Sequence, residues 1–383
     1  MKNIKLLNKI AKVGTDKLDK ALFTVGEEID APHGIMVRSA NMLDMEFGEE
    51  LCAIARAGAG VNNIPIDRCA DAGIVVFNTP GANANAVKEL VICSLMLASR
   101  DVIGGVQWAS ALTEDVAKQV EKGKSKFAGV EVKGKTLGVI GLGAIGGAVA
   151  NTAIHLGMDV VGCDPYLSVE SAQNLDTAVN RVAQYDDVYT VSDYITLHVP
   201  STPTTKGMIN KDTLSKMKDG VRILNFSRAD LVEAKDLLEA LESGKVASYV
   251  TDFPTEEILG AKGVVAIPHL GASTEESEDN CAVMAALELS DYIINGNIKN
   301  SVNYPALSLN RSSSTRICIL HKSEATSLAS FTAALANQGV TVVDMASKVR
   351  GAYAYTIFDV ETACDKVTDD IKCIDGVLRV RVI

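Results

Sequence analysis

The chain of 383 residues is too long for a single hydrophobic core and predicts two or three domains. Its 47% hydrophobic and 22% charged residues are typical of a globular protein, and no stretch approaches the roughly 20 apolar residues of a membrane span. The net charge of −11 at pH 7 argues against nucleic acid and anionic membranes as partners. It also means that an anionic substrate needs a local basic pocket.

The eight cysteines are scattered, without a C-x-x-C pair or a spacing typical of metal ligands. This pattern predicts reduced thiols in a cytoplasmic protein and no metal site. The N-terminal residues lack the apolar core of a signal peptide, which agrees with that expectation.

The first part of the chain alternates short apolar strands with polar or glycine-rich loops. The clearest strands span residues 34–38, 51–56 and 74–77, and in a parallel sheet the loops at their carboxyl ends form a ligand crevice. Arg38 and Arg56 end two of these strands, and a loop of turn-forming residues that includes Asn83 follows the third. We expect an anion site there.

A helix is predicted at residues 85–100, and a nucleotide-binding motif follows it. An apolar strand stops at Gly141, and Gly141, Gly143 and Gly146 have the spacing G-x-G-x-x-G. The glycines permit a tight turn, the approach of a pyrophosphate, and close packing of helix on strand. The next strand, residues 160–163, ends at Asp164, where a carboxylate would meet the ribose hydroxyls and repel the 2′-phosphate of NADP. NAD is therefore the expected cofactor.

Further strands are predicted near residues 194–200, 221–227, 247–252 and 263–267, which completes a doubly wound domain. Transfer of a hydride to or from a 2-hydroxy acid needs a cation for the carboxylate, an acid/base, and an acid that orients the base. Arg228, His269 and Glu256 fill these roles at predicted strand ends. His198 is expected to shape the nucleotide pocket.

The C-terminal part is predicted as a helix at residues 275–295, a polar linker, and a βαββαβ unit of the ferredoxin-like kind. The helix of that unit is placed at residues 327–338.

At this point a family resemblance is visible. Asn225-x-x-Arg228, Glu256 and residues 268–274 (Pro-His-Leu-Gly-Ala-Ser-Thr) resemble the signature of the D-isomer-specific 2-hydroxyacid dehydrogenases. The resemblance extends over essentially the whole chain, and the last unit resembles an ACT domain. It implies an α/β fold in which a Rossmann-type NAD-binding domain (92–275) is inserted in a flavodoxin-like substrate domain (1–91 and 276–304). A linker (305–314) and an ACT-like domain (315–383) complete the chain.

The resemblance also implies roles for single residues. Arg228 binds the substrate carboxylate, His269 shuttles the proton, and Glu256 keeps His269 protonated and oriented. The implied cofactor-binding residues are Gly141, Gly143, Ala144, Ile145, Gly146, Asp164, His198, Val199, Pro200, Ser227, Asp252 and Gly271. The implied substrate-binding residues are Arg38, Ser39, Arg56 and Asn83.

The two arginines favour the branch of the family that oxidises 3-phospho-D-glycerate, the first step of L-serine biosynthesis, because lactate or glycerate needs no phosphate clamp. Reduction of hydroxypyruvate or glyoxylate, oxidation of 4-phosphoerythronate, and a non-catalytic NAD-sensing scaffold remain alternatives. By resemblance we expect a homodimer or homotetramer.

Three points stay open in the sequence. Asp252 precedes Glu256 by four residues where the family commonly has five, so either Thr251 or Asp252 fills the acid position that faces the nicotinamide. Glu256 or Glu257 is the partner of His269. Inhibition by L-serine at the ACT-like domain competes with a purely oligomeric role, because Ser323, Ser327 and Thr341 depart from the effector-site pattern.

Overall fold

The computed structural model describes residues 1–324, 328–362 and 365–383, and these form a five-stranded, a seven-stranded and a four-stranded sheet. The described chain divides into two compact units, Met1–Asn83 with Glu275–Ile383, and Ala84–Thr274. The predicted α/β class, with a Rossmann-type sheet and a C-terminal antiparallel sheet, is confirmed.

The first sheet is parallel, with the flavodoxin-like order β2-β1-β3-β4-β5. Its strands are β1 (Lys2–Leu7), β2 (Phe23–Gly26), β3 (Gly34–Val37), β4 (Ala53–Arg56) and β5 (Val75–Phe77), with helices α1 (Lys12–Thr15) and α2 (Ile66–Asp71). Strand β3 is buried at every position, as expected of a central parallel strand.

The second unit carries a seven-stranded parallel sheet with the order β12-β11-β10-β9-β6-β7-β8, which is doubly wound about β6. Its helices are α3 (Ala84–Ser99), α4 (Val102–Ser110), α5 (Val116–Gly123), α6 (Ala144–His155), α7 (Val169–Gln173), α8 (Tyr185–Val191), α9 (Lys211–Lys216) and α10 (Ala234–Glu242). Its strands are β6 (Thr136–Ile140), β7 (Asp159–Cys163), β8 (Asn180–Arg181), β9 (Tyr194–Leu197), β10 (Val221–Asn225), β11 (Val246–Thr251) and β12 (Val264–Ala266).

The chain then returns to the first unit through the long helix α11 (Glu275–Asn295). The last segment is β13 (Thr315–Lys322), α12 (Leu328–Asn337), β14 (Val342–Arg350), β15 (Tyr353–Val360), α13 (Asp365–Lys372) and β16 (Val377–Val382). These strands form the antiparallel sheet β14-β15-β13-β16, so the predicted βαββαβ order is present. Ser327, predicted as the first residue of its first helix, lies outside the described residues.

The C-terminal sheet is attached to α11 by polar contacts of two arginines. Arg316 and Asp359 form a fully buried ion pair, and Arg316 also donates to the carbonyl of Asn295 at the end of α11. Arg381 of β16 donates to the carbonyls of Tyr292 and Ile293 on the same helix. These contacts explain why residues 315–383 group with the first sheet rather than forming a compact unit of their own.

Across the described ranges, no helix combines the length and the apolar character that crossing a membrane requires.

Candidate functional site

The glycine loop lies between β6 and α6. The space around each of its three glycines, Gly141, Gly143 and Gly146, differs. Gly141 has a φ of +91°, and a Cβ there would stand 2.5 Å from the carbonyl oxygen of His198. A Cβ on Gly146 would stand 1.9 Å from the carbonyl oxygen of Gly141. Beyond its own chain neighbours, no atom lies within 4 Å of a Cβ built on Gly143, the N-cap of α6. The loop therefore leaves open space at the N-terminus of a helix, where a pyrophosphate fits.

Asp164 follows β7 and is joined to the glycine loop. Its Oδ2 accepts a hydrogen bond from the N–H of Leu142 at 2.9 Å, and its Oδ1 accepts one from the N–H of Tyr166 at 2.9 Å. A carboxylate oxygen has a second lone pair, so both oxygens can still accept from ribose hydroxyls. The residues at the ends of β6 and β7 thus fit a dinucleotide.

His198 lies against Gly141 and Gly146 of the glycine loop, and its role in shaping the nucleotide pocket stays a prediction. Its N–H donates to the carbonyl of Ile140, and its Nε2 is 2.9 Å from Thr196 Oγ1. Its Nδ1 is buried without a hydrogen-bond partner. Burial lowers the pKa of His198 to about 3, so the ring is neutral at physiological pH.

Asp252 and Thr251, the two candidates for the acid position, have different surroundings. The hydroxyl of Thr251 donates to the carbonyl of Asn225 at 2.8 Å and accepts from the N–H of Phe253 at 3.0 Å. Asp252 is 1% exposed, its Oδ2 accepts from the N–H of Gly271 at 3.1 Å, and its Oδ1 is buried without a partner. Burial raises the pKa of Asp252, and the Gly271 N–H and the charges of His269 and Arg228 oppose that rise.

Arg228 and His269 follow β10 and β12, and both side chains contact Phe253, which follows β11. The Arg228 guanidinium carbon lies 5.8 Å from the centroid of the Phe253 ring. The His269 ring lies 4.5 Å from the same ring, at an interplanar angle of 46°. Arg228 and His269 are exposed, which leaves them accessible to a substrate.

Glu256 and Glu257 both lie in the exposed segment after Phe253. No hydrogen bond or ion pair joins His269 to either glutamate within residues 84–274, all of which are described. Glu257 lines a cavity of about 270 Å³ with Leu237 and Ile258. Glu256 as the partner of His269 stays a prediction, since catalytic hydrogen bonds often form only in the substrate complex.

The predicted substrate-binding residues lie at the carboxyl edge of the first sheet. Arg38 follows β3 and forms an ion pair with Glu278 of α11 at 2.7 Å. Arg56 ends β4, donates from Nε to the Arg38 carbonyl at 3.1 Å, and lies over Gly58, where a Cβ would stand 1.7 Å from Nη1. The N–H of Ser39 donates to Asn8 Oδ1 at 3.0 Å, and Asn83 directly precedes α3.

The remaining predicted cofactor residues lie around the glycine loop and the end of β9. A Cβ on Gly141 would stand 2.9 Å from a side-chain carbon of Val199. The hydroxyl of Ser227 donates to the carbonyl of Leu197 at 2.7 Å. The other members are Ala144 and Ile145 at the start of α6, and Pro200 after β9.

Sequence reasoning missed Phe253 and Glu278, and it named Asn225 only as part of the Asn-x-x-Arg motif. Phe253 lies between Asp252 and Pro254, and an aromatic side chain at such a place in a sequence does not indicate a functional role. Asn225 Nδ2 donates to the carbonyl of Arg228, a contact that its place in Asn-x-x-Arg hints at. In the described part of the chain, no group of three or more His, Cys, Asp or Glu side chains is placed to hold a metal ion.

Comparisons with known proteins agree with this geometry. A family model described as "D-isomer specific 2-hydroxyacid dehydrogenase, NAD binding domain" matches residues 101–271. The chain is 35% identical over 318 residues to a D-3-phosphoglycerate dehydrogenase of a Synechocystis species, which covers 79% of this chain and 54% of that protein. It is also 35% identical over 293 residues to the Archaeoglobus fulgidus protein of the same name, covering 73% of this chain and 53% of that protein. The chain thus spans about half the length of these curated relatives.

A solved structure, the NAD⁺-bound 3-phosphoglycerate dehydrogenase of Entamoeba histolytica, matches with a TM-score of 0.62 and 28% identity. The match covers 80% of this chain and 99% of that one. The residues around the glycine loop therefore form an NAD-binding domain, to which the open space at Gly143 and the acceptor oxygens of Asp164 are suited.

Proposed function

Because the chain belongs to the D-isomer-specific 2-hydroxyacid dehydrogenase family, we propose that it catalyses the NAD-dependent oxidation of 3-phospho-D-glycerate to 3-phosphooxypyruvate. In cells this reaction supplies the carbon skeleton of L-serine, and relatives at 33–35% identity carry the name of that enzyme.

The observation that carries the proposal is the convergence of three loops of one sheet. Arg228, Asp252 and His269 follow β10, β11 and β12, whose carboxyl ends share one edge with the glycine loop after β6. Ligands of open parallel sheets bind at that edge. A cation, a buried acid and an imidazole therefore follow strand ends on the same edge of the sheet as the cofactor-binding turn.

Each of these residues has a task in the proposed reaction. Arg228 binds the substrate carboxylate through its guanidinium and polarises the developing carbonyl. His269 takes the proton from the substrate hydroxyl, and Glu256 orients His269 when substrate is bound. Asp252, with its buried free Oδ1, is the acid that faces the nicotinamide amide. NAD, when bound, supplies the hydride acceptor.

Arg38 and Arg56, with Ser39 and Asn83, bind the 3-phosphate in this proposal. The two arginines lie on adjacent strands, and the Arg56 Nε bond to the Arg38 carbonyl holds the two strand ends together. The ion pair of Arg38 with Glu278 supports an oxyanion-binding role, because a guanidinium that donates to a carboxylate can also donate to a phosphate.

We propose further that the protein is a cytoplasmic homodimer or homotetramer whose ACT-like sheet serves assembly or binds an amino-acid effector. A reducing compartment is supported by the seven free cysteines of the described residues; Cys364 lies outside them.

A steady-state assay that follows NADH tests the function. The proposal expects rapid NAD reduction with 3-phospho-D-glycerate. A preference for glyoxylate or hydroxypyruvate with NADH would favour a reductase of the same family, and NAD binding without turnover on any of these substrates would favour a sensing role.

A further inference from the structure

We propose that Phe253 is a positioning residue that holds the acid/base His269 and the carboxylate-binding Arg228 in their working geometry. The proposal rests on the catalytic roles assigned under the proposed function. Its basis is that a single side chain contacts both groups, with ring separations of 4.5 Å to His269 and 5.8 Å to the Arg228 guanidinium.

The orientation of His269 needs such a contact. His269 is an exposed side chain on a loop, and neither of its ring nitrogens forms a hydrogen bond or ion pair to a carboxylate within its compact unit. The ring packs instead on Phe253, and a tilted aromatic contact at this distance is favourable and limits the side-chain rotamers. The imidazole is therefore oriented before Glu256 or a substrate engages it.

Phe253 also contacts two groups that are both positive when His269 is protonated. Arg228 carries a permanent charge, and His269 becomes positive when it takes the substrate proton. Direct contact between the two would oppose that protonation by like-charge repulsion. The Phe253 ring gives the guanidinium a favourable cation–π contact and gives the imidazole an apolar surface.

The backbone at Phe253 is fixed to both neighbouring loops. Its N–H donates to Thr251 Oγ1 at 3.0 Å, and that hydroxyl donates to the carbonyl of Asn225 at 2.8 Å. Asn225 Nδ2 in turn donates to the carbonyl of Arg228 at 2.8 Å. This chain of bonds ties the Arg228 loop to the Phe253 loop, so the ring has a defined place relative to the guanidinium.

A second hydrogen bond joins the Phe253 segment to the loop that carries His269. Asp252, the residue before Phe253, accepts from the N–H of Gly271, two residues after His269. The ring therefore stands on a segment that is hydrogen-bonded on both sides to the loops it serves.

The side chain itself can be changed without breaking the core. Phe253 is half-buried and borders the 270 Å³ cavity that Ala229, Leu237 and Ile258 also line. A smaller residue enlarges an existing space rather than opening a new one in a dense core. Loss of activity on substitution can thus be separated from loss of folding.

The test compares Phe253→Leu with Phe253→Tyr in the full chain, using NAD and 3-phospho-D-glycerate. We expect Phe253→Leu to lower kcat/KM by about tenfold to a hundredfold, because a displacement of about 1 Å in a reacting group has that effect. Phe253→Tyr keeps the ring and is expected to restore most of the rate. The dissociation constant of NAD, measured by calorimetry, is expected to be equal in all three proteins.

Phe127→Leu is the matched control, because Phe127 forms a half-buried aromatic pair with Trp108 in the same unit. It is expected to keep the wild-type kcat/KM. His269→Ala is measured alongside. If Phe253→Leu stays within twofold of wild type while His269→Ala is inactive, the positioning role is refuted and the proposed function stands.

Three other outcomes also contradict the positioning role. They are a Tyr variant as slow as the Leu variant, a Leu variant whose NAD affinity falls as much as its rate, and a Phe127→Leu loss equal to that of Phe253→Leu. If His269→Ala keeps the wild-type rate, the catalytic assignment itself fails, and the proposed mechanism fails with it.

Discussion

Asp252 Oδ2 accepts a hydrogen bond from the N–H of Gly271 at 3.1 Å, which joins the loop after β11 to the loop that carries His269. The bond places a buried carboxylate within electrostatic reach of both His269 and Arg228. We propose Asp252 for the acid position, because the hydroxyl of Thr251 is engaged by the backbone on both sides. The proposed chemistry therefore depends on the residues that follow the carboxyl ends of β10, β11 and β12.

Replacing His269 with Ala is expected to lower kcat/KM by about 10²–10⁴-fold, the usual contribution of a general acid/base. NAD affinity should stay unchanged, because the glycine loop and Asp164 are untouched. Steady-state kinetics and calorimetry measure both quantities. His155→Ala, at the exposed end of α6, is the matched control and should keep full activity. A His269→Ala enzyme with wild-type rates would refute the mechanism.

Arg38→Ala and Arg56→Ala are each expected to raise KM for 3-phospho-D-glycerate by about tenfold to a hundredfold, since a charge-assisted guanidinium–phosphate contact is lost. The KM for D-glycerate should change little. Arg68→Ala is the control, because Arg68 belongs to the same unit but donates to the Met45 carbonyl. Equal effects on phosphorylated and unphosphorylated substrates would rule out the phosphate clamp.

Asp164→Asn is expected to weaken discrimination against NADP by about tenfold, because the negative charge that repels a 2′-phosphate is removed. Affinity for NAD should also fall, since an acceptor for the ribose hydroxyls is replaced by an amide. Ratios of kcat/KM for NAD and NADP measure the change. Asp159→Asn, an exposed residue at the opposite end of β7, should leave that ratio unaltered. An unchanged ratio in Asp164→Asn would contradict the assignment.

Because the Glu288 side chain is buried, we expect the free energy of unfolding to depend on pH. The side chain is 7% exposed, and burial raises its pKa to about 7, against the opposing effects of Asn300 and Lys299. Between about pH 4.5 and 7 the folded state therefore holds a proton that the unfolded chain has lost, so stability falls as pH rises through this window. The loss is complete above the folded-state pKa and amounts to at most about 3 kcal/mol.

Glu288→Gln should remove this dependence, leaving the variant more stable than wild type at pH 8 and equal to it near pH 4.5. Urea unfolding at several pH values measures the difference. If the free energy of unfolding changed with pH by the same amount in both proteins, Glu288 would not titrate as described.

Asp359→Asn is expected to lower the free energy of unfolding by about 3–5 kcal/mol, because it leaves the buried guanidinium of Arg316 without a counter-charge. Denaturant unfolding measures the change. Asp369→Asn breaks an exposed pair with Lys372 and should have no measurable effect. A small, equal effect of both variants would mean that the Arg316–Asp359 pair is dispensable.

The sequence predicts correctly those features that depend on residues close together in the chain. The glycine spacing requires a tight turn wherever it occurs, and Gly141 and Gly146 indeed have no room for a Cβ. Helix α11 begins and ends where its apolar spacing predicted. Strand β1 was not singled out, because its charged residues hide the single buried position at Ile4.

Other features depend on strand register, which a sequence does not display. Arg316 and Asp359 face each other only because β13 and β15 pair antiparallel in that register. The contact of Phe253 with Arg228 and His269 likewise needs three strands side by side. Such relationships between distant residues cannot be predicted from one sequence without the topology.

The most direct test of the proposed function is the rate of NADH formation with 3-phospho-D-glycerate compared with D-glycerate, at equal NAD. We expect kcat/KM to be at least about a hundredfold higher for the phosphorylated acid, as two guanidinium–phosphate contacts imply. Equal efficiency for the two acids, or NADH formation from neither, would contradict the proposal.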